Sequence, residues 1–249
     1  MQMTVIASGS SGNCYVLEGR RSALILECGV PPEKMMAGTV LEVSKVAACL
    51  VTHEHGDHAA FAARYAALGI PVAATPGTLR ELAINGPQYA LEYWKNYALG
   101  EFNVMPIRTS HDAAEPCGYL IHHRDLGKLL FLTDTAPMPY DFRKLALDHI
   151  MIEANYDLAL LDENVTNGRV NAAQAVRTRK AHLSLRDAIE LVSKCETAAL
   201  KTVTLIHLSA FNSDAAAFRS KMEEAVIFAS VWVARPHLTI AMLPKFYIV

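Results

Sequence analysis

The sequence predicts an α/β protein built as a four-layer αββα sandwich, two β-sheets face to face with helices outside them. Three observations predict it. Short apolar runs with strand character fill the first half of the chain and return after position 100. Helical apolar spacing takes over after position 170. The 249 residues are 52% hydrophobic and 19% charged, enough apolar side chain for one domain spanning 1–249.

Residues 4–8, 14–18 and 22–28 read as strands separated by the turn segments Gly9-Ser10-Ser11-Gly12-Asn13 and Gly19-Arg20-Arg21. The unbroken apolar run 46–52 predicts a fully buried strand. Apolar spacing over 57–69 predicts a helix ending at the C-cap Gly69, and a short strand over 72–75 stops at Pro76. The aromatic-rich stretch 77–100 shows no strand signal and predicts helix. On it Tyr89, Tyr93, Trp94 and Tyr97 fall at near-helical spacing, either as core or lid packing or as a platform for stacking bases. Strands are predicted at 103–109, 118–122, 129–133, 149–153, 203–208 and 238–242, and helices at 171–180, 184–198 and 213–228. No repeat, low-complexity segment or linker divides the chain.

The formal net charge of −2 offers no global basic field for nucleic acid, though a local patch is compatible with it. No apolar run approaches the roughly 20 residues that span a bilayer, so no membrane partner is expected. The first residues carry no charged region followed by an apolar one, so no secretory signal is expected either. Five scattered cysteines without C-x-x-C spacing read as buried thiols in a reducing cytoplasm. Any metal chemistry is thereby left to His and Asp. Oligomeric state is not encoded in these patterns.

The most informative segment is His53-Glu54-His55-Gly56-Asp57-His58, placed where the buried strand ends and a helix begins. Three imidazoles and a carboxylate in six residues are costly to hold together without a cation. His53 and His55, two apart on an extended strand end, point the same way. Asp57 and His58, at the helix start, reach back over the same pocket. Imidazole and carboxylate together suit Zn²⁺, Mn²⁺ or Fe. Four ligands exceed what one catalytic ion with an open position takes, so a pair of ions fits better. Further donors close three other apolar runs: His111 after 103–110, Asp134 after 129–133 and His207 after 203–206. Glu54 is expected to point away and support the helix start or a ligand imidazole.

The order H-x-H-x-D-H, His, Asp, His resembles the metallo-β-lactamase fold superfamily. Flanking segments narrow the likeness to its YycJ (WalJ) branch. They are Ser8-Gly9-Ser10-Ser11-Gly12-Asn13-Cys14, Ser110-His111-Asp112-Ala113, Phe131-Leu132-Thr133-Asp134-Thr135, Glu153-Ala154-Asn155 and His207-Leu208-Ser209 with Asn212. Members of that branch resemble DNA exonucleases of the RNase J and tRNase Z kind. The likeness covers nearly the whole chain, without the inserted cap domain of RNase J.

The resemblance implies the metallo-β-lactamase fold, a DNA substrate and two divalent ions, Zn²⁺ or Mn²⁺, with Fe also compatible. It implies that His53, His55 and His111 hold the first ion, that Asp57, His58 and His207 hold the second, and that Asp134 bridges them. The implied mechanism is attack by a metal-bridging hydroxide, with Asp57 also orienting the nucleophile. His182, in a His-Leu-Ser shared with relatives, borders the pocket and donates to a phosphate or leaving group; alternatively it only packs beside a helix capped by Ser184. Glu27, Glu153, Asn155 and Asp112 are expected to support ligands or contact substrate. Ser209, Asn212, Ser10 and Asn13 are expected to donate to a substrate phosphate, although the turn carrying Ser10 and Asn13 can equally be a plain hairpin loop. Arg169, Arg177, Arg179, Lys180 and Arg186 are either a solvated face or a phosphate track.

Two positions depart from the family. Glu27 stands where Asp is usual, one methylene longer behind a ligand histidine. Tyr156 stands where relatives have His in an E-x-N-H-D segment. The expected function is hydrolysis of DNA phosphodiesters. The alternatives are a small-molecule ester, thioester or lactone hydrolase of the glyoxalase II kind, and a non-catalytic nucleic-acid-binding member of the fold.

Overall fold

In a computed structural model, which describes residues 1–244, the chain forms two seven-stranded sheets. The first holds β1 (Gln2–Ala7), β2 (Cys14–Glu18), β3 (Ala23–Leu26), β4 (Val46–Leu50), β5 (Val72–Ala74), β6 (Gln88–Ala90) and the late β14 (Thr239–Ala241), in the order β14-β1-β2-β3-β4-β5-β6. The second holds β7 (Tyr97–Leu99), β8 (Phe102–Arg108), β9 (Cys117–His123), β10 (Gly127–Leu132), β11 (His149–Glu153), β12 (Thr202–Ile206) and β13 (Ser230–Val233), ordered β13-β12-β11-β10-β9-β8-β7. Each sheet is mixed. Antiparallel hairpins β1–β2–β3 and β7–β8–β9–β10 lead into parallel β3–β4–β5–β6 and β10–β11–β12–β13.

The two-residue period of the strands sorts their side chains between layers. Tyr15, Leu17, Leu24 and Leu26 meet Leu129 and Phe131 between the sheets. Their neighbours Cys14, Val16 and Ile25 face Met35, Tyr65 and Ala66 of α1 (Pro32–Gly38) and α3 (Ala62–Ala67). Leu130 and Leu132 face Leu185, Val192, Phe218 and Met222 of two later helices, residues Leu185–Cys195 and Ala215–Ala225. The expected αββα sandwich is therefore what the chain builds. No helix among the described residues is long and apolar enough to cross a membrane. All five cysteines are buried and unpaired.

The structure corrects the helix expected at 77–100. Helix α4 (Pro76–Leu82), capped by Thr75, stops at Ala83, whose φ is +46°. Gly86 and Pro87 then turn the chain into β6, the edge of the first sheet, and β7 follows at the edge of the second. Proline cannot continue a helix and fits an edge strand's entrance, so the aromatics ride on a sheet-to-sheet crossing instead of one helical face. The helix expected over 57–69 is two pieces, α2 (Gly56–Ala59) and α3, because Cys28 O accepts from Phe61 N at 3.1 Å and holds the chain at the break. Helices α5 (Leu158–Thr166) and α6 (Ala172–Ala181) and the two already given, α7 (Leu185–Cys195) and α8 (Ala215–Ala225), complete the set. The expectations for 171–180, 184–198 and 213–228 correspond to α6, α7 and α8; α1, α5 and β13 were not anticipated.

The parallel strands point their C-terminal ends at one rim, where ligand sites of such sheets collect. At the opposite rim His149 opens β11, fully buried, with Nδ1 2.8 Å from Thr202 Oγ1. Burial pushes its pKa down to about 4. The unfolded chain therefore binds a proton that the folded chain refuses between pH 6.5 and 4, and stability falls as pH drops through that window. At about 1.36 kcal/mol per pH unit the loss is roughly 3 kcal/mol. Denaturant titrations should show His149→Gln losing less stability than the parent between pH 7 and pH 4; equal losses would remove His149 as the cause.

Candidate metal centre

Six strand ends and one short helix deliver the site. Glu27 follows β3, His53 and His55 follow β4, His111 follows β8, Asp134 follows β10, Glu153 ends β11 and His207 follows β12, while Asp57 and His58 lie in α2. Glu27, Asp134 and His207 have φ of +66°, +42° and +54°. Non-glycine residues seldom take this left-handed conformation, and it costs about 1 kcal/mol or more each. Here it turns each side chain off its strand's period and into the rim.

His53, His55 and His111 form one donor set. His53 Nε2 lies 3.1 Å from His55 Nδ1, which lies 3.2 Å from His111 Nε2. His111 Nδ1 donates to Ala181 O at 2.9 Å, so in the neutral ring Nε2 carries the lone pair and faces the cluster. His53 Nδ1, 3.0 Å from Thr52 Oγ1, is arranged the same way. Burial, reinforced by the positive neighbour His58, drives the His53 pKa well below its ordinary value. Burial also lowers His111. Neutral imidazoles with lone pairs converging on a point are the form a divalent ion requires.

Asp57, His58, Asp134 and His207 form a second set. Asp57 Oδ2 lies 3.1 Å from His207 Nε2 and 3.4 Å from His58 Nε2. Asp134 Oδ1 lies 3.1 Å from His207 Nδ1; its Oδ2 lies 3.3 Å from His58 Nε2, 3.6 Å from His111 Nε2 and 3.8 Å from His53 Nε2. This carboxylate thus touches both sets. Burial opposes ionisation of Asp134, but the charges of His207 and His58 outweigh it and hold its pKa well below the carboxylate range. Burial likewise disfavours charge on His207, yet Asp134 and the Asp57 and Glu153 contacts raise it to about 10. Protons thus sit where cations can replace them. The donor chemistry and the convergent lone pairs fit divalent metal ions.

A family model described as a beta-lactamase superfamily domain matches residues 31–208. The chain belongs to the beta-lactamase superfamily. It is 27% identical over 228 residues to the exodeoxyribonuclease WalJ of Streptococcus pneumoniae serotype 2 (strain D39), covering 84% of this chain and 82% of that protein. It is 26% identical over 230 residues to the exodeoxyribonuclease YycJ of Bacillus anthracis, covering 86% and 84%. The crystal structure of the metallo-beta-lactamase fold protein YhfI from Bacillus subtilis superposes with a TM-score of 0.73 at 16% identity, covering 96% of this chain and 98% of that one. The protein is a hydrolase of the metallo-β-lactamase fold with a His/Asp cluster able to bind metal.

Further polar side chains surround the donors of this superfamily member. Glu27 Oε2 accepts from Thr52 N at 3.3 Å, and its Oε1 faces His58 Nδ1 at 3.5 Å. Both facing atoms are buried and otherwise without a partner, so the longer Glu reaches the imidazole. Asn13 Nδ2 donates to Asp57 O at 3.2 Å, and Asn155 Nδ2 to His207 O at 3.1 Å. Asn13 therefore braces the ligand loop and does not line the pocket above the metal donors, whereas Ser10, Ser209 and Asn212 do. Asp112 is tied up by a two-pronged ion pair with Arg177 at 2.8 and 3.2 Å, its Oδ1 3.3 Å from His111 Nε2. Glu54 is not at the helix start; its Oε1 accepts from Ala114 N at 2.7 Å and pins the loop after His111.

His182 is the C-cap of α6, two residues before Ser184, the N-cap of α7 that forms a capping box with Asp187, and it lines the pocket. Its Nδ1 is 2.6 Å from Glu153 Oε1, and its ring stacks on His207 at 5.7 Å. Tyr156 lies away from the donors, buried with Leu161, Val170 and Ala175 under α5 and α6, so the His-to-Tyr departure changes packing outside the metal pocket. The five basic residues do not make one track: Arg177 alone of them lines the pocket, and Arg179 pairs with Asp162. Three contributors were not anticipated. Gln174 and Thr178 of α6 line the pocket, and Gly29 lets Asp57 O approach to where a Cβ would stand at 1.8 Å. A lone Gly after Cys28 was the only sequence signal of that approach.

Proposed function

We propose that the protein is a dinuclear metal-dependent nuclease that hydrolyses DNA phosphodiester bonds. The observation that carries this reading is the position of Asp134, whose carboxylate lies within 4 Å of imidazoles from both donor sets, with His182 and Glu153 at their edge. His53, His55 and His111 would hold one ion, and Asp57, His58 and His207 the other, with Asp134 common to both. When bound, two ions of the Zn²⁺, Mn²⁺ or Fe kind supply Lewis-acid charge and an acidified water.

The chain's own residues supply the rest. Burial works against charge on Asp57, but its bonds to His207 and His58 keep it ionised, so it can orient a nucleophile. Burial lowers the His182 pKa, but the Glu153 and Asp134 carboxylates together raise it, and the net shift is upward. The shift favours the protonated ring, which can pass its proton to the departing oxygen. Ser10, Ser209 and Asn212 line the pocket with donors suited to phosphate oxygens. The likeness to two exodeoxyribonucleases favours DNA, and the buried thiols favour a cytoplasmic setting.

The pocket over the donors is small, about 240 Å³, which favours an ester or thioester of a small molecule as the second reading. A side-by-side assay separates the two. End-labelled single-stranded and duplex DNA, supplied with Mn²⁺ or Zn²⁺, should be cleaved with a kcat/KM far above that for a generic thioester or lactone. Turnover of the thioester alone would overturn the nuclease reading.

A further inference from the structure

We infer that the cleft beside the metal centre is a binding track for single-stranded DNA, with Arg80 and Arg108 holding backbone phosphates and Tyr93, Tyr140 and Trp94 receiving unpaired bases. The choice of ligand rests on the nuclease reading. The cleft has a volume of about 880 Å³, more than three times that of the pocket over the donors, and His111 forms part of its wall. A chain lying in it is led directly to the donor cluster.

Both arginines are exposed on the cleft wall, Arg80 near the end of α4 and Arg108 at the end of β8. Among the described residues the ion-paired arginines are Arg21, Arg64, Arg177, Arg179 and Arg219. Arg80 and Arg108 are not among them, so their charge is open to a ligand. Arg108 is placed without being neutralised, its guanidinium carbon 5.8 Å from the centroid of the Tyr93 ring. Glu115, the carboxylate on the same wall, is turned into the Gly77 amide.

The aromatic side is equally fixed. Tyr93 Oη donates to Pro116 O at 2.9 Å, which anchors its ring. Tyr140 lines the opposite part of the cleft, and Trp94 stands on the rim against it, edge to face at 5.2 Å. Trp94 is 48% exposed, and its backbone is locked at φ +63° with its N–H on Pro106 O. A rigid, half-exposed indole against Tyr140, at the edge of a cleft that holds two open guanidiniums, matches the pairing of stacking platform and cationic groove that holds single strands. A duplex keeps its base faces covered and cannot use it.

Anisotropy of a fluorescein-labelled oligothymidylate, measured on chelator-treated protein so that no cleavage intervenes, tests the track. Arg80→Ala/Arg108→Ala should weaken binding about tenfold or more and reduce the slope of log K against log salt by about 1.4, near 0.7 per phosphate contact. Trp94→Ala should weaken it roughly fivefold or more through lost stacking. Arg20→Ala/Arg124→Ala removes the same charge from turns at the far rim and should bind like the parent. Parental affinity and slope in the Arg80/Arg108 variant, an equal loss in the far-rim variant, or a parent that binds no oligonucleotide would each overturn the track. DNA cleavage by a parent whose binding ignores these residues leaves the nuclease reading standing. Binding through them without any cleavage does the reverse.

Discussion

Asp134→Ala should lose roughly three orders of magnitude or more in kcat/KM for DNA, equivalent to about 4 kcal/mol of transition-state stabilisation. Asp134 is the carboxylate that lies within 4 Å of imidazoles from both donor sets, His53 and His111 on one side and His58 and His207 on the other. Its removal deletes the negative charge the two sets share. His58→Ala should be comparably severe, since His58 Nε2 is a donor of the second set and its Nδ1 faces Glu27. The fold should survive both changes. The three main apolar clusters, between the sheets and under each helical layer, do not include these side chains. Far-ultraviolet circular dichroism should therefore match the parent while end-labelled DNA stays intact. Parental activity in either variant would contradict the assignment of these donors.

His182→Ala should lower kcat by about two to three orders of magnitude, within the range of general acid catalysis, with a smaller effect on KM. Glu153 holds His182 Nδ1 at 2.6 Å, which leaves Nε2 as the atom free for the pocket. The acid form is the active one. Because the net shift of His182 is upward, activity should persist above the ordinary imidazole value near 6.5 and fall as pH rises through the raised one. That alkaline limb should flatten in His182→Ala. Glu153→Gln should shift it to lower pH, because the carboxylate that raises His182 is gone. A phosphodiester with a nitrophenolate leaving group needs no proton donor, so His182→Ala should cleave it nearly as well as the parent does. Equal losses on both substrates would make His182 a packing residue only.

Much of the site is legible in the sequence because its residues are chemically out of place there. Imidazoles and carboxylates directly after apolar runs at 46–52, 129–133 and 203–206 have few reasons to exist other than a shared pocket. What spacing does not carry is conformation. Nothing in the residue order announces that Glu27, Asp134 and His207 adopt positive φ, and that turn decides where their side chains go. Nor does it show that Glu54 reaches forward to Ala114 or that Tyr156 turns beneath α5 and α6. These contacts cross many residues and depend on tertiary packing.

The aromatic stretch after position 77 misleads for a related reason. Tyr89, Tyr93, Trp94 and Tyr97 repeat at near-helical spacing, but Gly86 and Pro87 break the backbone before the period can be used. Punctuation by Gly and Pro outweighs side-chain periodicity there. The consequence is functional as well as structural. A helix would have buried these rings on one face, whereas the crossing from β6 to β7 leaves Trp94 on the rim of the cleft.

The central claim is that seven side chains form one centre for two metal ions. It is tested most directly by counting metal on protein purified without chelator and titrated with Mn²⁺ or Zn²⁺, using elemental mass spectrometry against protein concentration. The account predicts two equivalents per chain in the parent and fewer in Asp134→Ala. A parent that saturates at one equivalent, or that binds none, would contradict it.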